Sequence, residues 1–197
     1  MATRAYRQDL RAQQTQANAD RVVQSAVGLV KKTRRTADIT LDDISRESGV
    51  TVRTILRRFA SRDGVLEAAF GKIKEEFRGY RPATEPGDVD AAVHALLDQY
   101  EKIGDLNMRA LAQEDQLPLL HRALTDARRS HREWLEHVFQ PNLRPLTPSQ
   151  RERQVTALYA ATDVYLWKLL RRDLKLDRHE TEAAFLRLVN GVIGKRG

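Results

Sequence analysis

The sequence predicts an all-α fold, with a small N-terminal helix-turn-helix unit followed by a larger helical body and about nine helices in total. Three observations carry this prediction. Apolar residues recur at helical spacing in every segment from Val22 to Ile193, and no segment shows the strict alternation of a half-buried strand. Helix starts are written out as capping pairs at Thr40/Asp43, Thr147/Gln150 and Asp177/Glu180. The charge is also uneven: of a formal net charge of +7, residues 1–60 hold twelve Lys and Arg against six Asp and Glu, so nearly all the excess lies in the first third. A basic segment on a near-neutral remainder is the asymmetry of a nucleic-acid-binding module joined to a separate body.

Residues 1–17 are polar, with Arg4, Arg7 and Arg11 spaced three or four apart. They read as a partly flexible basic arm, either a solvated start or a segment that orders on DNA. A first helix is expected from about Asn18 to Lys32, its apolar face made by Val22, Val23, Ala26, Val27, Leu29 and Val30. Lys31, Lys32, Arg34 and Arg35 follow, as a solvated helix end or as phosphate contacts. The next stretch, Ile39 to Phe59, reads as two short helices around a tight turn. Thr40 caps the first, Gly49 supplies the left-handed residue that ends it, and Thr51 caps the second. On that second helix Val52, Ile55 and Phe59 fall within roughly 60° of one another at 100° per residue. Arg53 and Arg57 point the other way, as suits insertion into a major groove.

At these residues the chain resembles the TetR family of transcriptional regulators. That family's pattern is an Ile-Ala pair, then Ala-Gly-Val-Ser, then Thr-Leu-Tyr-x-x-Phe, then Ser-Lys-Glu. Here it stands as Ile44-Ser45, Ser48-Gly49-Val50-Thr51, Thr54 to Phe59 and Ser61-Arg62-Asp63, with every spacing kept from Ile39 through Leu66. Leu56 replaces the family's Tyr, and Arg62 replaces a Lys while keeping its charge. The resemblance implies a DNA-binding domain over 18–64 and a ligand-binding and dimerisation domain over 65–197. The DNA-binding set is Thr40, Val52, Arg53, Thr54, Leu56, Arg57, Arg58 and Arg62. Arg53 and Arg57 are the expected base readers, Val52 and Leu56 meet thymine methyls, and Thr40, Thr54, Arg58 and Arg62 hold backbone phosphates.

Beyond the motif, a helix is expected from Ser61 to Phe77 or Tyr80, ended by Arg81-Pro82-Ala83-Thr84-Glu85-Pro86-Gly87. Asp88 caps the next, which Gly104-Asp105 is expected to end before a shorter helix with Leu106, Met108 and Leu111. Pro118 opens a helix through Leu124, Trp134 and Val138, and a loop from Pro141 to Leu146 follows. A long helix is expected from Pro148 to about Leu174, and a last one after Asp177. From Val155 to Leu170 apolar residues fill more than one stripe, which implies burial on two sides. A central core helix accounts for that, and so does a twofold partner. The family's last two helices make a four-helix bundle with their mates, which favours a homodimer through Val155, Leu158, Tyr159, Leu166, Leu170, Phe185, Leu188, Val189 and Val192. The family also binds small effectors among its central helices. A hydrophobic one would be lined by Leu97, Tyr100, Met108, Leu111, Trp134, His137, Tyr165 and Trp167, each of which serves equally as plain core.

No cofactor and no metal site is expected. The chain has no cysteine, and its five histidines include no HExxH pattern. There is no phosphate-cradling Gly-rich loop and no nucleophile elbow, so catalysis is not expected. No apolar run approaches a membrane span and no signal core is present, which places the protein in the cytoplasm. The expected function is a ligand-responsive repressor acting as a homodimer on a palindromic operator, with no membrane partner. The alternative is a helical dimeric interaction protein whose helix-turn-helix has lost specific DNA binding, the direction in which Leu56 leans.

Overall fold

The computed structural model describes residues 2–78 and 84–194. The regular structure of those residues is helical, with no strand among them. The chain divides into two compact units, Met1–Glu76 and Phe77–Gly197. Tyr80 and Arg81-Pro82-Ala83, expected to end a helix, lie outside the described residues, as do the side chains of Arg4, Arg7 and Phe77.

In the first unit, α1 spans Ala2–Lys32, a much earlier start than the one expected near Asn18. Its apolar stripe does begin there, with Ala19, Val22, Ala26, Val27 and Val30 all buried. Helix α2 (Leu41–Ser48) opens on the Thr40/Asp43 capping box and closes on Gly49 at φ 67. Only a residue without a Cβ takes that left-handed conformation at little cost. Helix α3 (Val52–Phe59) is capped by Thr51, whose Oγ1 accepts from the Thr54 amide, and α4 covers Arg62–Arg78. Ile39, Ile44, Val50, Ile55, Val65 and Leu66 make the shared core, each 5% exposed or less.

The turn between α3 and α4 is tight. Ala60 takes φ 65, and Ser61 Oγ accepts from the Gly64 amide at 3.0 Å. A Cβ on Gly64 would sit 2.1 Å from the Phe59 carbonyl oxygen, a backbone atom with no freedom to move aside. Gly64→Ala should therefore cost about 1–3 kcal/mol, the range of overpacking in a filled site. A urea midpoint equal to that of the parent would show that the turn yields.

The second unit holds α5 (Val89–Leu111), α6 (Pro118–Val138), the four-residue α7 (Gln140–Leu143), α8 (Pro148–Thr162), α9 (Val164–Lys168) and α10 (Arg178–Ile193). Three differences from the expected elements have physical causes. Helix α5 does not stop at Gly104. That glycine is buried against the Trp167 ring, where an added Cβ would come within 2.3 Å of Cζ3. It marks a close approach of two helices rather than an end. Helix α7 occupies part of the expected loop, begun by Pro141 near its first turn.

The long helix expected over 148–174 breaks at Asp163, which is extended (φ −73, ψ 153) and caps α9 through its carboxylate, accepting from the Tyr165 amide at 2.9 Å. The Thr162 carbonyl, at the end of α8, accepts from Tyr100 Oη at 2.8 Å. After α9 a π-helical turn, Leu169–Asp173, leads to the Asp177/Glu180 capping box of α10. The surplus of apolar residues over this stretch is thus shared by two helices, each with its own buried side. Leu96, Leu97, Leu135, Phe139, Leu158, Trp167 and Phe185 lie at the centre of the core, all fully buried.

Candidate nucleic-acid interface

The side of α3 that faces inward is fixed by Ile55, which is 1% exposed, with Val52 and Phe59 half-buried beside it. With that edge held, Arg53, Leu56, Arg57 and Arg58 all stand in solvent. Leu56 is 38% exposed, a large apolar side chain with no burial to explain it. Among the described residues, Arg53, Arg57 and Arg58 form no ion pair. The second unit treats its arginines differently. Arg128 is paired with Glu114, Arg132 with Glu136 and Glu152, Arg171 with Glu101, Arg172 with Asp105, and Arg178 with Asp98 and Glu182. Carboxylates neutralise those guanidinium groups, whereas among the described residues none pairs with the three on α3.

Thr54 is half-buried, its Oγ1 3.0 Å from Thr51 Oγ1 at the start of α3. Thr40 is exposed and occupied with capping: its Oγ1 donates to Asp43 Oδ2 at 2.6 Å and its amide to the same oxygen at 3.0 Å. Those bonds from Thr40, helped by the neighbouring Arg46, hold the Asp43 carboxyl below the usual carboxylate range. Arg62 is placed differently from the other expected phosphate contacts. Its guanidinium donates to the Ala37 carbonyl at 3.1 Å and to Asp63 at 3.1 Å, bracing the start of α4 against the turn before α2. A cleft of about 210 Å³ lies between α1 and α3. Thr15, Asn18, Ala19 and Val22 form one wall, and Thr54, Ile55, Arg57, Arg58 and Phe59 the other. Nothing in the sequence marked Thr15 and Asn18 as neighbours of the arginine helix, because a polar helix gives no apolar stripe to orient.

In the second unit the residues expected around an effector do not form one group. Leu97, Tyr100 and Trp167 are buried in the core, and Met108, Leu111 and Trp134 pack partly buried against it. His137 and Tyr165 are exposed, His137 lying 3.2 Å from the Thr84 carbonyl. Of the residues expected at a dimer surface, Val155, Leu158, Leu170, Phe185 and Val189 are 8% exposed or less within the single chain. They pack its own core and have no surface left for a partner. Leu188 is 46% exposed, and Tyr159, Leu166 and Val192 are half-buried. Tyr165, Leu169 and Leu174 add exposed apolar area at 56%, 45% and 58%.

Among the described residues no helix is long and apolar enough to cross a membrane, and no cluster of potential metal ligands occurs. No protein-family model and no curated protein matches the sequence. Among solved structures the chain is similar to a "putative transcriptional regulator from Pseudomonas aeruginosa PAO1", with a TM-score of 0.67 over 89% of this chain and 90% of that one. At 14% identity the likeness is one of fold.

Proposed function

We propose that the protein is a sequence-specific DNA-binding transcriptional regulator of the TetR type and not an enzyme. It acts as a homodimer on a palindromic operator, represses, and is released by a small hydrophobic effector. The observation that supports this most directly is the α3 surface: Arg53, Arg57 and Arg58, without an ion pair among the described residues, stand exposed on a helix whose back is pinned by Ile55. Arginine offers the fork of donors that guanine N7 and O6 accept, and Leu56 between the arginines and the buried edge suits a thymine methyl. A short helix reading one half-site gains affinity and specificity when a symmetric partner reads the other. The exposed apolar side chains Tyr165, Leu169, Leu174 and Leu188 are compatible with a covered face on the second unit.

The test is binding of the full chain to duplexes from the DNA flanking its own gene, measured at several salt concentrations. The expected result is preference for one inverted repeat, with affinity that falls steeply as salt rises. Affinity equal for all duplexes, at every salt concentration, would overturn the regulator and leave the interaction protein.

A further inference from the structure

Helix α1 runs from Ala2, yet its buried residues begin only at Ala19. Every described side chain from Gln8 to Ala17 is exposed, apart from Asp9, whose side chain is not among those described. Such a segment gains nothing from packing within the chain. Its local support is side-chain hydrogen bonding, Gln14 to Asn18 at 3.1 Å and Gln16 to Asp20 at 2.8 Å. The far end of α1 is tied to α4 by Lys31 and Glu76 at 2.6 Å, whereas Thr15 and Asn18 line the cleft beside α3. The exposed segment therefore leaves the unit at the arginine helix and not at the opposite end.

Its register is equally specific. At about 100° per residue, Arg4, Arg7 and Arg11 fall within roughly 60° of one another, in the same sector as Asn18 and Val22. Asp9 and Asp20 fall on the opposite side by the same register. At about 1.5 Å per residue, Arg11 lies roughly 16 Å beyond Val22 along the axis and Arg4 roughly 27 Å beyond it. A duplex offers one phosphate charge per about 1.7 Å of its axis, so a cationic line of this length meets a continuous row of partners.

We infer that the first four turns of α1 are a second DNA-contacting element, a helical rail whose Arg4–Arg7–Arg11 line neutralises backbone phosphates flanking the half-site under α3. This rests on the regulator reading. The rail adds affinity and lengthens the bound duplex without adding sequence preference, because phosphates are the same at every base pair.

The test compares the full chain with its R4Q/R7Q/R11Q variant on a long operator duplex and on one trimmed to the inverted repeat. Glutamine keeps helix propensity, and Gln13→Ala on the far side serves as the control that should bind like the parent. Losing three phosphate contacts at each head, six in the dimer, should lower the slope of log affinity against log salt by about 5.4. The parent dimer then loses roughly 1,800-fold more of its affinity than the variant between 50 and 200 mM salt. Trimming should weaken the parent and leave the variant unchanged, with base preference the same in both. A variant with the parent's slope and the parent's response to trimming overturns the rail while α3 continues to read DNA. A parent without sequence preference removes the regulator and the rail together.

Discussion

The double substitution Arg53→Ala/Arg57→Ala should erase sequence preference while leaving the fold as stable as the parent. Both side chains are exposed and neither forms an ion pair among the described residues, so removing them strands no carboxylate. Stability should stay within about 0.5 kcal/mol of the parent, as for surface changes away from special features. Binding is another matter, since a bidentate arginine–guanine pair discriminates by about 1–3 kcal/mol and each head would lose two. The single variants should each relax one base position, a different one for each arginine. Arg58→Ala should instead weaken every duplex alike and reduce the salt slope by about two, one phosphate contact for each head. These outcomes separate reading from holding on one helix. Unchanged affinity and unchanged preference in the double variant would mean that α3 is not the reading element, and the interaction-protein alternative would then stand.

The arginine helix was legible because everything that defines it is local. Thr40, Gly49 and Thr51 set the ends of α2 and α3 within a dozen residues, and Val52, Ile55 and Phe59 set which side is buried. Features decided by distant partners were not legible. Gly104 and Asp163 each look ambiguous in one dimension. Gly104 is consistent with a helix stop until the Trp167 ring is seen against it, 63 residues later in the chain. Asp163 lies between apolar stretches that fit one long helix, and the Thr162 carbonyl beside the break is met by Tyr100, 62 residues earlier in the chain. The early start of α1 escaped for the opposite reason. Alanine, glutamine and arginine favour helix by propensity alone, and periodicity is silent where no side is buried. The dimer set was over-drawn because apolar spacing identifies burial but not what does the burying. Val155, Leu158 and Phe185 are covered by their own chain.

Trp167→Ala should be the most destabilising single change in the second unit, and its neighbours explain why. The side chain is fully buried, its ring 6.2 Å from that of Tyr100 and directly against Gly104. Its Nε1 donates to Glu101 Oε1 at 2.9 Å, and the Arg172 guanidinium lies 4.5 Å from the ring centroid. Glu101 also accepts from Arg171 at 2.7 and 3.0 Å, which more than its other contacts holds its carboxyl below the usual range. Truncation removes the ring and leaves the cavity, for a loss of about 3–5 kcal/mol. Arg171 keeps Glu101 satisfied, so the loss comes from packing and not from an abandoned charge.

Gly104 turns this into a sharper test. With Trp167 in place, Gly104→Ala should cost about 1–3 kcal/mol, because the new methyl has no room. With Trp167 replaced by alanine, the same methyl enters the vacated space, and alanine is favoured over glycine inside a helix by about 1 kcal/mol. The sign of the Gly104 effect should therefore reverse between the two backgrounds, a coupling that only direct contact produces at this size. Urea unfolding followed by circular dichroism reads the parent and the three variants. If Gly104→Ala costs the same with and without the tryptophan, the two residues do not share that space, and α9 is not held to α5 by the ring.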